Sequence, residues 1–210
     1  MNGKFITFEG PDGSGKGTII KYVKKYLIKN NVDFILTREP GGINISEDIR
    51  KVILNKDNTE MDDRTEALLY AASRRQHLVE KVIPALKAGK VVICDRFVDS
   101  SLAYQGYARG IGIDEVFEIN KFAIDDMMPD LTIFLDVKPE VGLKRITNSN
   151  VRVKDRLDLE SIDFHNKVYE GYMKVIEMYN DRIQIVDAEK SIKNVAGNTI
   201  GIIDNFLKSN

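Results

Sequence analysis

One cysteine and two histidines are all that this 210-residue chain offers in thiol and imidazole chemistry. A lone thiol cannot close an intramolecular disulfide, which suits a reducing compartment and gives the expectation of a cytoplasmic protein. Cys94 lies inside the apolar run Val91-Val92-Ile93-Cys94, where a buried small hydrophobe is a better reading than a catalytic thiol. No His/Cys set has metal-ligand spacing, and no Gly-x-Ser-x-Gly elbow occurs. No apolar run approaches the ~20 residues that cross a bilayer. Met1 to Lys4 leads straight into the first apolar strand, so no secretory leader is expected. The net charge is −1, with no long basic block, which gives no support for nucleic-acid binding. Repeats and domain-separating linkers are lacking too, so residues 1–210 are expected to form a single domain.

What is present is ordered. Short apolar runs at Phe5–Phe8, Phe34–Leu36, Val91–Cys94, Leu131–Val137 and Ile183–Val186 read as strands. Several are continuous rather than alternating, as in a parallel sheet covered on both faces. Helical patterns fall between them, at 15–29, 46–54, 63–88, 114–127, 139–147, 160–180 and 191–208. This alternation predicts an α/β fold, a doubly wound five-stranded parallel sheet with helices on both faces.

The first strand runs into Gly10-Pro11-Asp12-Gly13-Ser14-Gly15-Lys16-Gly17-Thr18, and a helical pattern leaves it. Glycines let backbone N–H groups approach phosphates closely. The helix start adds unpaired N–H groups and a positive dipole end. Lys16 reaches the β- and γ-phosphates. This is a phosphate-binding loop in its required strand–loop–helix context, and it predicts nucleoside triphosphate binding over residues 10–18. Gly17 departs from the motif, which places Ser or Thr there as a ligand to Mg2+. The hydroxyl follows one residue later at Thr18, and the ion is also expected to be held through water.

Two further segments follow strands. Asp95 and Arg96 come directly after Cys94, at the strand end where ligands sit in open α/β sheets. Asp95 there orients a magnesium-bound water, and Arg96 bridges donor and acceptor phosphates; the competing reading is a surface ion pair. Thr37-Arg38-Glu39-Pro40-Gly41-Gly42 brings Arg38 to the same edge. Tyr70, Ser73, Arg74 and His77 share one helix face by their spacing. Tyr70 and Arg74 can stack on and hydrogen-bond a nucleobase, or equally pack and snorkel, and His77 reads as a packing or surface residue. Residues 147–155, with Arg152 and Lys154 and the flanking Arg145 and Arg156, read either as a solvated loop or as a mobile lid that excludes water.

These segments, together with Ala71-Ala72-Ser73-Arg74-Arg75-Gln76-His77, Asp95 through Gly106, Pro129-Asp130-Leu131-Thr132 and Arg156-Leu157-Asp158, resemble the thymidylate kinases of the bacterial type over nearly the whole chain. The resemblance implies phosphoryl transfer from ATP to dTMP, giving dTDP, with Mg2+, in a homodimer built on helix packing. It implies that Lys16 and the loop hold the ATP phosphates, with Arg145 also on the ATP side. Asp12 meets the 3′-hydroxyl of dTMP. Arg38 and Arg96 lie around the acceptor phosphate, and Arg50 falls at a substrate-side arginine position. Tyr70 stacks on the base, Arg74 bonds it, Ser101 and Gln105 offer base-side polar groups, and Tyr104 lies under the sugar. Arg152 is the best lid candidate for the catalytic arginine that the P-loop lacks, with Lys154 and Arg156 as competing candidates; Asp95 and Thr18 are the metal candidates. Two alternatives stay open at this point. Gly-Lys-Gly-Thr also fits adenylate kinases. A GTPase-type switch would want an Asn-Lys-x-Asp segment, which Asn55-Lys56-Asp57-Asn58 does not provide.

Overall fold

The computed structural model describes residues 3–148 and 156–209. Five strands form one parallel sheet: β1 (Lys4–Glu9), β2 (Phe34–Arg38), β3 (Val91–Asp95), β4 (Leu131–Asp136) and β5 (Ile183–Asp187). Their spatial order is β2-β3-β1-β4-β5. The helices are α1 (Lys16–Lys29), α2 (Asn44–Leu54), α3 (Asp63–His77), α4 (Ile83–Lys87), α5 (Val98–Ser101), α6 (Ile113–Ile124), α7 (Pro139–Thr147), α8 (Ile162–Met178) and α9 (Ile192–Lys208).

Two apolar layers explain the continuous strands. Side chains alternate along each strand, so Phe5, Val92, Cys94 and Phe134 face a core shared with Leu102, Val168 and Tyr172. Ile6, Phe8, Ile93, Ile133 and Leu135 face the other way, onto Ile19, Val23 and Leu27 of α1 and Val195 and Ile203 of α9. A strand buried on both faces has no polar face to show.

The sequence pattern differs from the structure at two helices. The run expected at 63–88 is interrupted by a π-helical turn at Leu78–Val82 ahead of α4. Pro84 follows it and cannot donate a helical hydrogen bond, and its ring crowds the carbonyl four residues back; a wider turn relieves both demands. A helical segment over Val98–Ala108, α5 plus a second π-helical stretch from Leu102, was not expected at all. It is buried nearly all round, Asp99, Ser101 and Gln105 included, so it has no amphipathic period to read.

Strand register positions the site. Phe8 of β1 pairs with Asp95 of β3, and Asp95 pairs with Arg38 of β2. The loops that leave these three residues therefore emerge side by side on one edge of the sheet.

Candidate active site

These loops border a cleft of about 1140 Å³. Because β1 is central, the P-loop lies in its middle. Arg145, Ile146, Ala188, Lys190 and Ile192 line the β5 side, and Arg38, Arg50, Tyr70, Arg74, Ser101, Tyr104 and Gln105 line the β2 side. Asp12 through Thr18, Asp95 and Arg96 also border it. Gly10 and Pro11 do not line it but shape it from behind. Arg152 and Lys154, with most of the 147–155 segment, lie outside the described residues.

Lys16 is buried at the base of the loop. Its Nζ donates to the carbonyls of Gly10 (2.8 Å) and Pro11 (3.2 Å) and to Ser14 Oγ (3.3 Å). Burial lowers its pKa to about 8, and the nearby Arg96 adds to this, while Asp95, Asp12 and Glu9 work the other way. Gly13 has φ 78°, and a Cβ there would stand 2.1 Å from the carbonyl oxygen of Gly142 in α7. Only glycine allows both that backbone turn and that approach. Arg145, one turn further along α7, donates to Ala188 O at 3.0 Å.

Arg96 is the hub. Its Nη1 donates to Gly10 O (3.2 Å), Ser100 Oγ (3.1 Å) and Tyr172 OH (2.9 Å). Its Nη2 pairs with Asp12 at 2.9 Å. Tyr104 OH donates to the other oxygen of Asp12 at 2.7 Å. An ion pair thus exists, as in the competing reading, but it is largely buried beside the P-loop, its side chains 18% and 11% exposed. Asp95 Oδ1 is buried with no partner among the described residues. A bare carboxylate oxygen beside the loop is a fitting place for a cation or its water. Thr18 is exposed, and the space around Gly17 is open, so nothing in the packing there demands glycine.

Arg74 is 2% exposed. Its Nε donates to Glu39 at 2.7 Å and its Nη1 to Ser101 Oγ at 3.1 Å and to Asn120 Oδ1. Nη2 is the nitrogen left without a protein partner among the described residues. Glu39 also lies 2.9 Å from His77 Nδ1, whose Nε2 is 2.6 Å from Thr37 Oγ1. His77 is therefore a packing residue that ties the 37–42 loop to α3. Glu39, His77 and Cys94 come within metal-ligand reach of one another, a convergence that sequence spacing did not reveal. Each already has a protein partner, Cys94 Sγ donating to Arg96 O at 3.2 Å, and burial pushes the thiol pKa well up. The trio reads as hydrogen-bonded packing.

Arg38 pairs with Glu47 at 2.7 Å, and Arg50 donates to Pro40 O at 2.9 Å. Arg156, a rival for the catalytic arginine, donates to Ile53 O (2.9 Å) and to Glu66. It anchors the chain ahead of α8 to the end of α2.

Three residues of the hub lay outside the sequence reading. Glu9 is 1% exposed. It accepts from Phe97 N (2.7 Å), Ser100 Oγ (2.6 Å) and Tyr172 OH (2.9 Å). Burial, then Asp99, pushes its pKa up to about 7, with Arg96 opposing. Its signal was a carboxylate ending an apolar strand. Ser100 sat inside the recognised segment without a role, and Tyr172 carried no local signal.

Known proteins resemble this chain over nearly its whole length. A family profile described as thymidylate kinase matches residues 8–198. The chain is 68% identical to thymidylate kinase of Clostridium novyi (strain NT) over 193 residues, covering 92% of this chain and 94% of that protein. It is 58% identical to thymidylate kinase of Bacillus velezensis over 208 residues, 99% of this chain and 98% of that one. The crystal structure of thymidylate kinase from Ehrlichia chaffeensis superposes with a TM-score of 0.78 at 32% identity, over 96% of this chain and 98% of the other.

Proposed function

The chain belongs to the thymidylate kinase family, and we propose that it transfers the γ-phosphoryl group of ATP to dTMP, giving dTDP, with the whole chain acting as one P-loop kinase domain. The observation that carries this reading is the position of Arg96. Its guanidinium contacts the P-loop at Gly10 O and Asp12 while standing between the two ends of the cleft. A fixed cation there meets charge as it spreads over a transferring phosphoryl group.

The remaining roles follow from placement. The loop N–H groups and Lys16 hold the ATP phosphates, Lys16 exchanging its bonds to the loop carbonyls for bonds to phosphate oxygens. Arg145 covers the donor base beside Ala188 and Lys190. Arg38 and Arg50 reach the acceptor phosphate, Arg38 by leaving Glu47. Asp12 and Tyr104 meet the deoxyribose. Tyr70 stacks on the base, and Arg74 offers it Nη2, with Ser101 and Gln105 alongside. Mg2+ fits at Asp95 Oδ1 and Thr18, where it would neutralise charge on the β- and γ-phosphates. The reaction belongs in the cytoplasm, where ATP is supplied. The chain also pairs with a second copy through α3 and α6. Leu68 on α3 is 56% exposed and Phe122 on α6 is 90% exposed, a large apolar outlay for a surface without a partner.

ADP release measured with dTMP, dUMP, dCMP, dGMP and AMP tests the substrate. Turnover is expected to be greatest with dTMP; equal or greater turnover of AMP rejects the reading.

A further inference from the structure

Glu66 has no place in the roles above, yet it is fully buried in the first turns of α3. One oxygen, Oε1, accepts from Gln105 Nε2 at 2.7 Å. The other accepts from Arg109 Nη2 at 3.3 Å and from Arg156 Nη2. Both arginines are themselves held. Arg109 pairs with Glu160 at 2.6 Å and Asp63 at 3.4 Å and lies 4.4 Å from the Phe164 ring centroid. Arg156 is fixed at the end of α2 by Ile53 O. The Glu66 carboxylate is thus clamped from three directions.

A carboxylate facing two guanidinium groups offers only acceptors. The Gln105 amide can present only its NH2 end to it, which turns Oε1 away. Gln105 borders the cleft, and among the described residues nothing donates to Oε1. The cleft therefore meets a fixed carbonyl-type acceptor at this point, beside Arg74 and Ser101.

We propose that Glu66 is a positioning residue for substrate discrimination: it holds the Gln105 amide with its oxygen toward the cleft, so that the pocket accepts a pyrimidine whose ring edge carries N–H and rejects one that carries a lone pair there. Thymine and uracil have that N–H at ring position 3; cytosine has a lone pair. Two acceptors face to face leave both unsatisfied in a buried site, and sites built to receive a hydrogen discriminate strongly on that ground. This rests on the dTMP kinase reading and names a determinant of its specificity.

The test is kcat/KM for dTMP, dUMP and dCMP in the parent, Glu66→Gln, Glu66→Asp, Gln105→Ala and the double variant Glu66→Gln/Gln105→Ala. Glutamine at 66 donates as well as accepts and frees the Gln105 amide to turn. The dTMP/dCMP ratio is expected to fall by roughly 10- to 100-fold in Glu66→Gln, while the dTMP/dUMP ratio stays as in the parent, because those bases share the N–H. A merely structural role would lower all three substrates together. The double variant should match Gln105→Ala in its ratio, since the two residues act as one unit. If Glu66→Gln does not fold, Glu66→Asp keeps the charge toward both arginines, withdraws it from Gln105, and should lower the same ratio. An unchanged dTMP/dCMP ratio in the folded variant overturns the proposal. A parent that does not prefer dTMP overturns the wider reading instead, and the two failures are separately visible.

Discussion

Arg96 holds a backbone φ of 69°, a left-handed conformation that costs a residue with a side chain roughly 1–2 kcal/mol. Such strain persists where surroundings over-determine it, and here the surroundings are Glu9, Ser100, Asp12, Tyr104 and Tyr172. Glu9 gives this cluster a measurable pH signature. In the unfolded chain its carboxyl titrates near 4.5, and in the folded protein near 7. Between those values the folded state keeps a proton that the unfolded state releases, so folding stability is complete below pH 4.5 and declines as pH rises toward 7. The loss attributable to this group is on the order of 3 kcal/mol. Urea unfolding at pH 4.5, 6 and 7 should show the stability difference between the parent and Glu9→Gln moving in the variant's favour as pH rises; a constant difference would remove Glu9 as the source. Arg74 and Glu39 form a second such point, a buried pair at 2.7 Å. Breaking one side of a buried pair costs roughly 3–5 kcal/mol, so a variant at Arg74 should weaken the fold as well as the proposed base pocket. Lys16, Arg96 and Asp12 were legible in the sequence because their neighbours in the chain carry a motif. Tyr172 was not, because its only relation to Arg96 is through space.

At the scale of elements, α7 and the P-loop are joined by glycines rather than by side chains. A Cβ on Gly142 would lie 2.2 Å from the carbonyl oxygen of Asp12. Glycine to alanine inside a helix ordinarily favours it by about 1 kcal/mol. For Gly142→Ala the clash should win: the melting temperature falls, and the KM for ATP rises while that for dTMP stays close to the parent. A raised melting temperature would show that α7 is free to move away from the loop. The pairing of Gly13 with Gly142 could not be read from two glycines 129 positions apart. Strand positions were legible because burial on both faces leaves continuous apolar runs. The Val98–Ala108 segment was not, because polar side chains buried against the site erase the period that marks a helix.

For the molecule as a whole, alternation of strands and helices was enough to give the parallel sheet, but the order β2-β3-β1-β4-β5 depends on pairings no strand announces. The proposed association of two copies also belongs to this scale. Phe122 is so exposed that Phe122→Glu should leave the melting of an isolated chain nearly unchanged. Light scattering after gel filtration should report twice the chain mass for the parent and a shift toward one chain mass for Phe122→Glu; an unchanged mass would move the contact away from α6. The row Phe8, Asp95, Arg38 has a metric meaning. Paired strands lie roughly 4.8 Å apart whatever their side chains, so the loops proposed to hold donor, bridging arginine and acceptor are ruled off by the pitch of backbone hydrogen bonds. Loop substitutions can change what is held at either end without altering that interval. One inserted residue within β3 would do the reverse, advancing Asp95 and Arg96 by about 3.3 Å and turning them to the opposite face while every gripping side chain remained in the chain.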